Sequence, residues 1–263
     1  MKIAIKSGDE TMISRLILRL QDDDTDRLDY SVSSSLQGVL MQYVDPSYGE
    51  FLHQSGMHPY SQYLNKKKKE FAWVITALNG KAAEELLEKV TLQPGDGISL
   101  KYRQKKIEVL GREREDISYD ELMQKNYFRE NKRFIRIRFL TPVAFKQAGN
   151  YCIFPSPRLI FQSLMLKYDA CAENSRILDE EVLAHYEEYS KIVRYNLKST
   201  CFPLEGVRIP AFTGELTIRV GGPAQMVNLA WLLAAFGEYS GVGIKTSMGM
   251  GAMRVVEEKE GKL

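Results

Sequence analysis

The chain switches between stretches whose apolar residues recur every second position and stretches where they recur every third or fourth. RLILRL, from Arg15 to Leu20, sets Leu16, Leu18 and Leu20 on one strand face. Leu36, Val39, Leu40 and Tyr43 then recur at helical spacing. Ser33, Ser34 and Ser35 offer N-caps, and Gly38 weakens the helix. FAWVIT (71–76) predicts a second strand, broken by Asn79-Gly80. Ala82, Ala83, Leu86, Leu87 and Val90 line a further helix, and ISLKYR (98–103) and KIEVLG (106–111) read as strands. Strand, helix, strand, helix, strand is close to a ferredoxin-like unit.

A charged stretch, GREREDISYDELMQKNYFRENK (111–132), predicts a short helix or linker and the domain junction. After it, FIRIRFLTP turns Ile135, Ile137 and Phe139 to one side and Phe134, Arg136 and Arg138 to the other. Arg136 and Arg138 are candidates to face a polyanion. Thr141-Pro142 is expected to end this strand. Arg158–Tyr168 and Leu178–Tyr195 read as helices, and GVRIPAF and ELTIRV as paired strands around Gly214. Pro223 starts a last helix with Met226, Leu229, Ala230, Leu233 and Phe236 on its core stripe, and Gly237 is expected to end it. AMRVVE closes the chain as a strand. The fold class expected is α+β, two similar halves divided as 1–122 and 123–263.

Composition narrows the function classes. The chain has 263 residues and is 44% hydrophobic, enough for a real core in each half. Its three cysteines and three histidines show no metal-ligand spacing, so neither a metal nor a cofactor is expected. The start, MKIAIKSGDETM, lacks an apolar signal core, and no long apolar run suggests a membrane span, so a cytoplasmic protein is expected. A net charge of +2 decides nothing by itself. Basic residues cluster, however, at Lys66, Lys67, Lys68 and Lys69, at 101–106, and from Arg129 to Arg138, and such clusters attract phosphate.

Two segments carry candidate chemistry. FLHQSGMHPYSQYLNKKKKE (51–70) holds His53 and His58, with Tyr43, Tyr48, Tyr60 and Tyr63 near them in sequence. Histidine exchanges protons near neutral pH, and lysine holds phosphate. That mixture suits RNA scission by the strand's own 2′-hydroxyl, which needs a base, an acid and positive charge. The second segment, GVGIKTSMGMGAM (241–253), has four glycines and no acid. Its amides could form an anion concavity, with Lys245, Thr246 and Ser247 as further donors. A mobile surface loop is the plainer alternative. The run lacks the ending of a Walker loop.

Three stretches in order, LQGVLMQYVDPSYGEFLH (36–53), FLTPVAFKQAGNYCIFPSPRLIFQSLMLKY (139–168) and GVGIKTSMGMGAMRVV (241–256), resemble the CRISPR-associated endoribonuclease family that processes repeat RNA. The family belongs to the repeat-associated mysterious protein superfamily. The resemblance implies two tandem ferredoxin-like (RRM-like) domains with a C-terminal glycine-rich loop. It implies metal-independent cleavage of CRISPR precursor RNA within repeats, leaving 2′,3′-cyclic phosphate and 5′-hydroxyl ends. The family's acid–base histidine falls on His53, and His58 lies nearest its second polar position. Where some members have a tyrosine this chain has Met41, with Tyr43 two positions on. A lysine for the scissile phosphate would come from Lys66–Lys69. Lys245 and Ser247 would contact phosphate on a surface shaped by Gly249 and Gly251. The partners implied are CRISPR repeat RNA, effector-complex subunits and a second copy of the chain, with no membrane. A non-catalytic repeat-RNA-binding subunit of an effector complex is the alternative, and a metabolic α/β enzyme with a phosphate-binding glycine loop is a more distant one.

Overall fold

Alternation buries Leu16, Leu18 and Leu20 on one face of β1 (Met12–Gln21), and this strand organises the first half. The computed structural model describes residues 12–21, 30–67, 70–92, 97–100, 105–172 and 176–256. β1 lies between β3 (Glu70–Ala77) and β5 (Lys105–Ser118), antiparallel to both. β2 (Tyr60–Lys67) extends the sheet beyond β3, and β4 (Gly97–Leu100) beyond β5, giving the order β2-β3-β1-β5-β4. α1 (Ser33–Tyr43) and α2 (Pro46–Gln54) cross between β1 and β2. A second helical segment returns between β3 and β4. It runs as α3 (Gly80–Ala82), a π-helical turn (Ala83–Glu88) and α4 (Lys89–Thr91). Asn79 caps it by accepting the Ala82 N–H at 2.9 Å. Trp73, Ile75, Leu36, Leu40 and Leu86 join the β1 leucines in one core.

The second half repeats the plan. β6 (Phe134–Val143), β9 (Lys191–Leu204), β10 (Val207–Arg219) and β11 (Met253–Val255) form a sheet of order β11-β6-β10-β9. β7 (Phe145–Gln147) and β8 (Asn150–Cys152) form a separate small hairpin. α6 (Pro157–Cys171), α7 (Glu180–Tyr189) and α8 (Ala224–Ser240) cover the sheet. Ile135, Ile137 and Phe139 are buried against Leu164, Leu233 and Phe236 in the second core. In each half a first strand sits in the middle and a hairpin partner stands beside it, the ferredoxin-like arrangement expected from the sequence.

Several local expectations are corrected. Residues 60–67, read only as a reactive segment, form β2. Residues 111–118 are not linker but the second half of β5. Their alternating charges pair across β1, where Arg15 meets Glu115 and Arg19 meets Glu113. The division expected between 122 and 123 falls inside α5 (Tyr119–Asn126), and both Tyr119 and Leu122 are buried in the second core. The helix expected over 178–195 ends at Tyr189, and β9 begins at Lys191. GVRIPAF and ELTIRV are one strand, β10, not a pair. At Gly214 the two backbones leave no room for a side chain: a Cβ there would lie 2.0 Å from the Asn196 carbonyl oxygen on β9. The turn comes earlier, at Glu205 and Gly206, both at positive φ. β6 continues past Thr141-Pro142 to Val143, which pairs with Phe212 after a register shift. Gly237 is a helix interior residue packed under Met253, and α8 ends at Ser240. The serines proposed as caps lie inside α1, whose N-cap is Val32, with no side-chain capping bond.

The passage from β5 into α5 is fixed by a capping box. Ser118 Oγ accepts the Glu121 N–H at 3.0 Å, and Glu121 accepts the Ser118 N–H at 3.0 Å. Ser118→Ala should cost about 1 kcal/mol of stability in urea melts. An unchanged midpoint would mean that the junction holds without this cap.

Candidate active site

The glycine-rich run is packed between the halves and is not a mobile surface loop. Val242, Met250, Ala252 and Ser247 are all buried. Gly241, Gly243, Gly249 and Gly251 all have positive φ. Their amides do not cradle an anion, because each already donates to the protein. Gly241 donates to the Gly237 carbonyl, Gly243 to Ser163 Oγ, Gly249 to the Thr246 carbonyl and Gly251 to the Pro142 carbonyl. What the glycines provide is close approach. A Cβ on Gly249 would lie 2.2 Å from the Cβ of Ser33 in α1, and one on Gly251 would lie 2.1 Å from the Val242 carbonyl oxygen.

That approach delivers a short 3-10 turn, Thr246–Met248, to the first half. Gln62 on β2 meets it there. This side chain, 1% exposed, donates to the Ser33 carbonyl at 2.8 Å and the Ser247 carbonyl at 3.2 Å, and accepts the Trp73 indole N–H at 2.7 Å. Beside it, His58 Nδ1 lies 2.9 Å from Ser247 Oγ, and its ring stacks on Tyr60. Burial lowers the His58 pKa below the ordinary histidine value. A hydrogen bond with the Leu52 backbone opposes this, and the electrostatic effects of Lys245 and His53 push it further down.

His53 itself lies in the last turn of α2, exposed, and its ring makes no hydrogen bond among the described residues. A cleft of about 440 Å³ opens between His58 and Met57 on one side and Lys245, Thr246 and Ser247 on the other. Its floor comes from α6, through Leu159, Gln162, Ser163 and Lys167. Lys167 is 5% exposed and donates to the Gly241 carbonyl at 3.0 Å. Burial pulls its ammonium down to about 7. One turn on, burial pushes the Cys171 thiol up to about 12.

The arrangement thus sets His58, with His53 near it, beside a lysine and a serine contributed by the other half. The family model for the CRISPR-associated endoribonuclease Cas6 matches residues 137–253. A Cas6 of Streptococcus thermophilus is 37% identical over 227 residues, covering 85% of this chain and 90% of that protein. This chain belongs to the Cas6 family of CRISPR-associated endoribonucleases. The Cas6 of Mycobacterium tuberculosis is 34% identical over 254 residues, covering 94% of this chain and 81% of its own length. The fold agrees as well. A Thermus thermophilus Cas6 structure superposes with a TM-score of 0.74 at 21% identity, covering 95% of this chain and all of that one.

In this Cas6-family chain the expected site residues divide into groups. His58, Lys245 and Ser247 line one cleft, and His53 is near enough to act on the His58 charge. Gly249 and Gly251 shape the loop. Tyr43 ends α1, half-buried against the first core, and does not line the cleft. Lys66 lies near the end of β2 with its ammonium 5.3 Å from the Phe71 ring centroid. Lys67 is the last residue of β2, and Lys68 and Lys69 lie outside the described residues. Arg136 and Arg138 sit on the open face of the second sheet, both paired with Glu215, away from the cleft. Among the described residues no helix is long and apolar enough to cross a membrane.

Sequence reasoning missed Gln62, Ser163 and Lys167. The last had a signal: a lysine on the buried stripe of α6, between Leu164 and Cys171.

Gly249→Ala should cost about 2 kcal/mol or more, because it adds both an unfavourable φ and a backbone-level clash. A parental melting curve would show that the loop can move off Ser33. Lys167 has a pH signature. Its folded value, about 7, lies below the ordinary 10.5, so between these limits the unfolded chain binds the extra proton. Its contribution to stability therefore grows as pH rises from about 7 to 10.5 and is lost as pH falls back through that window. Lys167→Met should flatten this slope in urea midpoints measured from pH 7 to 10. Parallel curves for parent and variant would contradict a depressed lysine.

Proposed function

We propose that this chain cleaves CRISPR precursor RNA within its repeats by attack of the 2′-hydroxyl on the adjacent phosphate. One observation carries the reading: His58, Lys245 and Ser247, contributed by two halves, line one open cleft, and His53 is near enough to act on the His58 charge. The relatives from Streptococcus thermophilus and Mycobacterium tuberculosis, named as CRISPR-associated endoribonucleases, support it. In the step proposed, a base takes the 2′-hydroxyl proton, the 2′-oxygen bonds to phosphorus, and the bond to the 5′-oxygen breaks as an acid protonates it. The products carry a 2′,3′-cyclic phosphate and a 5′-hydroxyl.

His53, exposed and unengaged, is the principal acid–base group. His58 is the second. Its lowered pKa keeps the ring neutral at neutral pH, and Ser247 fixes its orientation. Lys245, exposed at the cleft, supplies positive charge to the phosphate. Repeat RNA is the partner this requires, and an effector complex is the setting in which the product would be handed on. A second reading, repeat-RNA binding without cleavage, draws on Tyr43, which packs outside the cleft.

The chemistry asks for proton transfer and charge, so cleavage of labelled repeat RNA should persist in excess EDTA and give cyclic-phosphate ends. His53→Ala should slow single-turnover cleavage by ~10²–10⁴-fold with RNA affinity largely kept. His58→Ala should slow it less and also lower the melting temperature, since it frees Ser247. Intact RNA in a stable complex with the parent protein would favour the binding-only reading. Near-parental cleavage by folded His53→Ala would remove that residue from the chemistry.

A further inference from the structure

The β7–β8 hairpin takes no part in the acid–base site, yet it stands at the cleft's edge. Its turn residues, Ala148 and Gly149, have φ of 46° and 83°, as a tight two-residue hairpin turn requires. Phe145 is buried in the second core and roots the hairpin. Lys146 and Tyr151 are directly opposed across it, so they share a face. Lys146 lines the cleft, which places Tyr151 next to its mouth.

The surface there is unusually apolar. Tyr151 is 47% exposed, Ile153 38%, Phe154 71% and Leu166 39%, and Leu166 also lines the cleft. It is also free of negative charge in sequence. From Phe139 to Tyr168 there is no Asp or Glu, while Lys146 and Lys167 both reach the cleft. A rigid aromatic beside a lysine, continuous with a cleft lined by basic groups, matches a single-stranded nucleic acid. Bases stack on the ring, and phosphates meet the lysine.

We propose that the β7–β8 hairpin is a stacking platform for unpaired RNA leaving the cleft, with one base on Tyr151 and its phosphate at Lys146. The inference rests on the reading that this chain binds repeat RNA, and it adds a second contact away from the cleaved bond. Phe154, the most exposed apolar residue of the segment, extends the same platform.

The test is fluorescence anisotropy of an unpaired repeat RNA spanning the cleavage position, with the full chain and its variants. Tyr151→Ala should weaken binding about tenfold, the order expected for one stacked base, while Tyr151→Phe binds like the parent. Lys146→Ala should reduce the salt dependence of binding by about one phosphate contact. Melting curves should match the parent for all three, since both side chains are exposed. Parental affinity in Tyr151→Ala, with RNA binding by the parent intact, would overturn the stacking proposal alone. Failure of the parent itself to bind repeat RNA would overturn the proposed function and this inference with it. Loss of a protein partner by Tyr151→Ala, with RNA affinity kept, would make the hairpin a protein interface and would also refute the proposal.

Discussion

One buried amide holds the molecule's two halves in register. Gln62 has both donors and its acceptor engaged: α1 through the Ser33 carbonyl, the glycine loop through the Ser247 carbonyl, and the first core through Trp73. A buried polar group left without partners costs about 1–3 kcal/mol, so none of the three elements can drift without exposing that penalty. Around it the contact widens. Arg15 donates to the Glu238 carbonyl at 2.6 Å and lies over the Tyr239 ring, and Tyr119 donates to the Leu78 carbonyl at 2.9 Å. Ile13 and Leu78, from the first half, are buried in the core of the second. Two similar units are thus fused at an interface that is polar at its centre and fully paired at Gln62.

Much of this was legible in the sequence, and the gaps have physical causes. Period-two apolar spacing revealed β1 and β6, a continuous apolar run revealed β3, and helical apolar spacing revealed α1 and α8. β2 was hidden because a core-facing position on it is glutamine, whose partners come from distant segments. β9 was hidden because it is an edge strand with most side chains exposed, so no alternation is written into it. The charged half of β5 resembled a linker because its residues are mostly charged and exposed, so no apolar alternation marks the strand. At the site, His53, His58, Lys245 and Ser247 were picked out by residue type and resemblance. The His58–Ser247 contact was not, because nothing local in either segment encodes the other. For the glycines, the expectation of a surface shaped by Gly249 and Gly251 fits their steric role, whereas the glycine amides, offered as part of an anion concavity, are already engaged within the protein.

The electrostatics of the cleft depend on what occupies it. Lys167 and His58 both have lowered pKa values, chiefly through burial, whereas Lys245 is exposed. An anion entering the cleft lowers the cost of charging the two buried groups, so it draws protons onto them. The pocket therefore becomes more basic in the presence of a phosphate than it is without one. Arg136 and Arg138 behave differently, because Glu215 already offsets part of their charge.

His58 and Ser247 are 189 positions apart in the chain. During synthesis the histidine therefore emerges well before the serine it contacts. The contact between them cannot form until the second half has been made, whereas the first half can already pack a core of its own. Whatever depends on the orientation of His58 is delayed until the two halves have closed on each other.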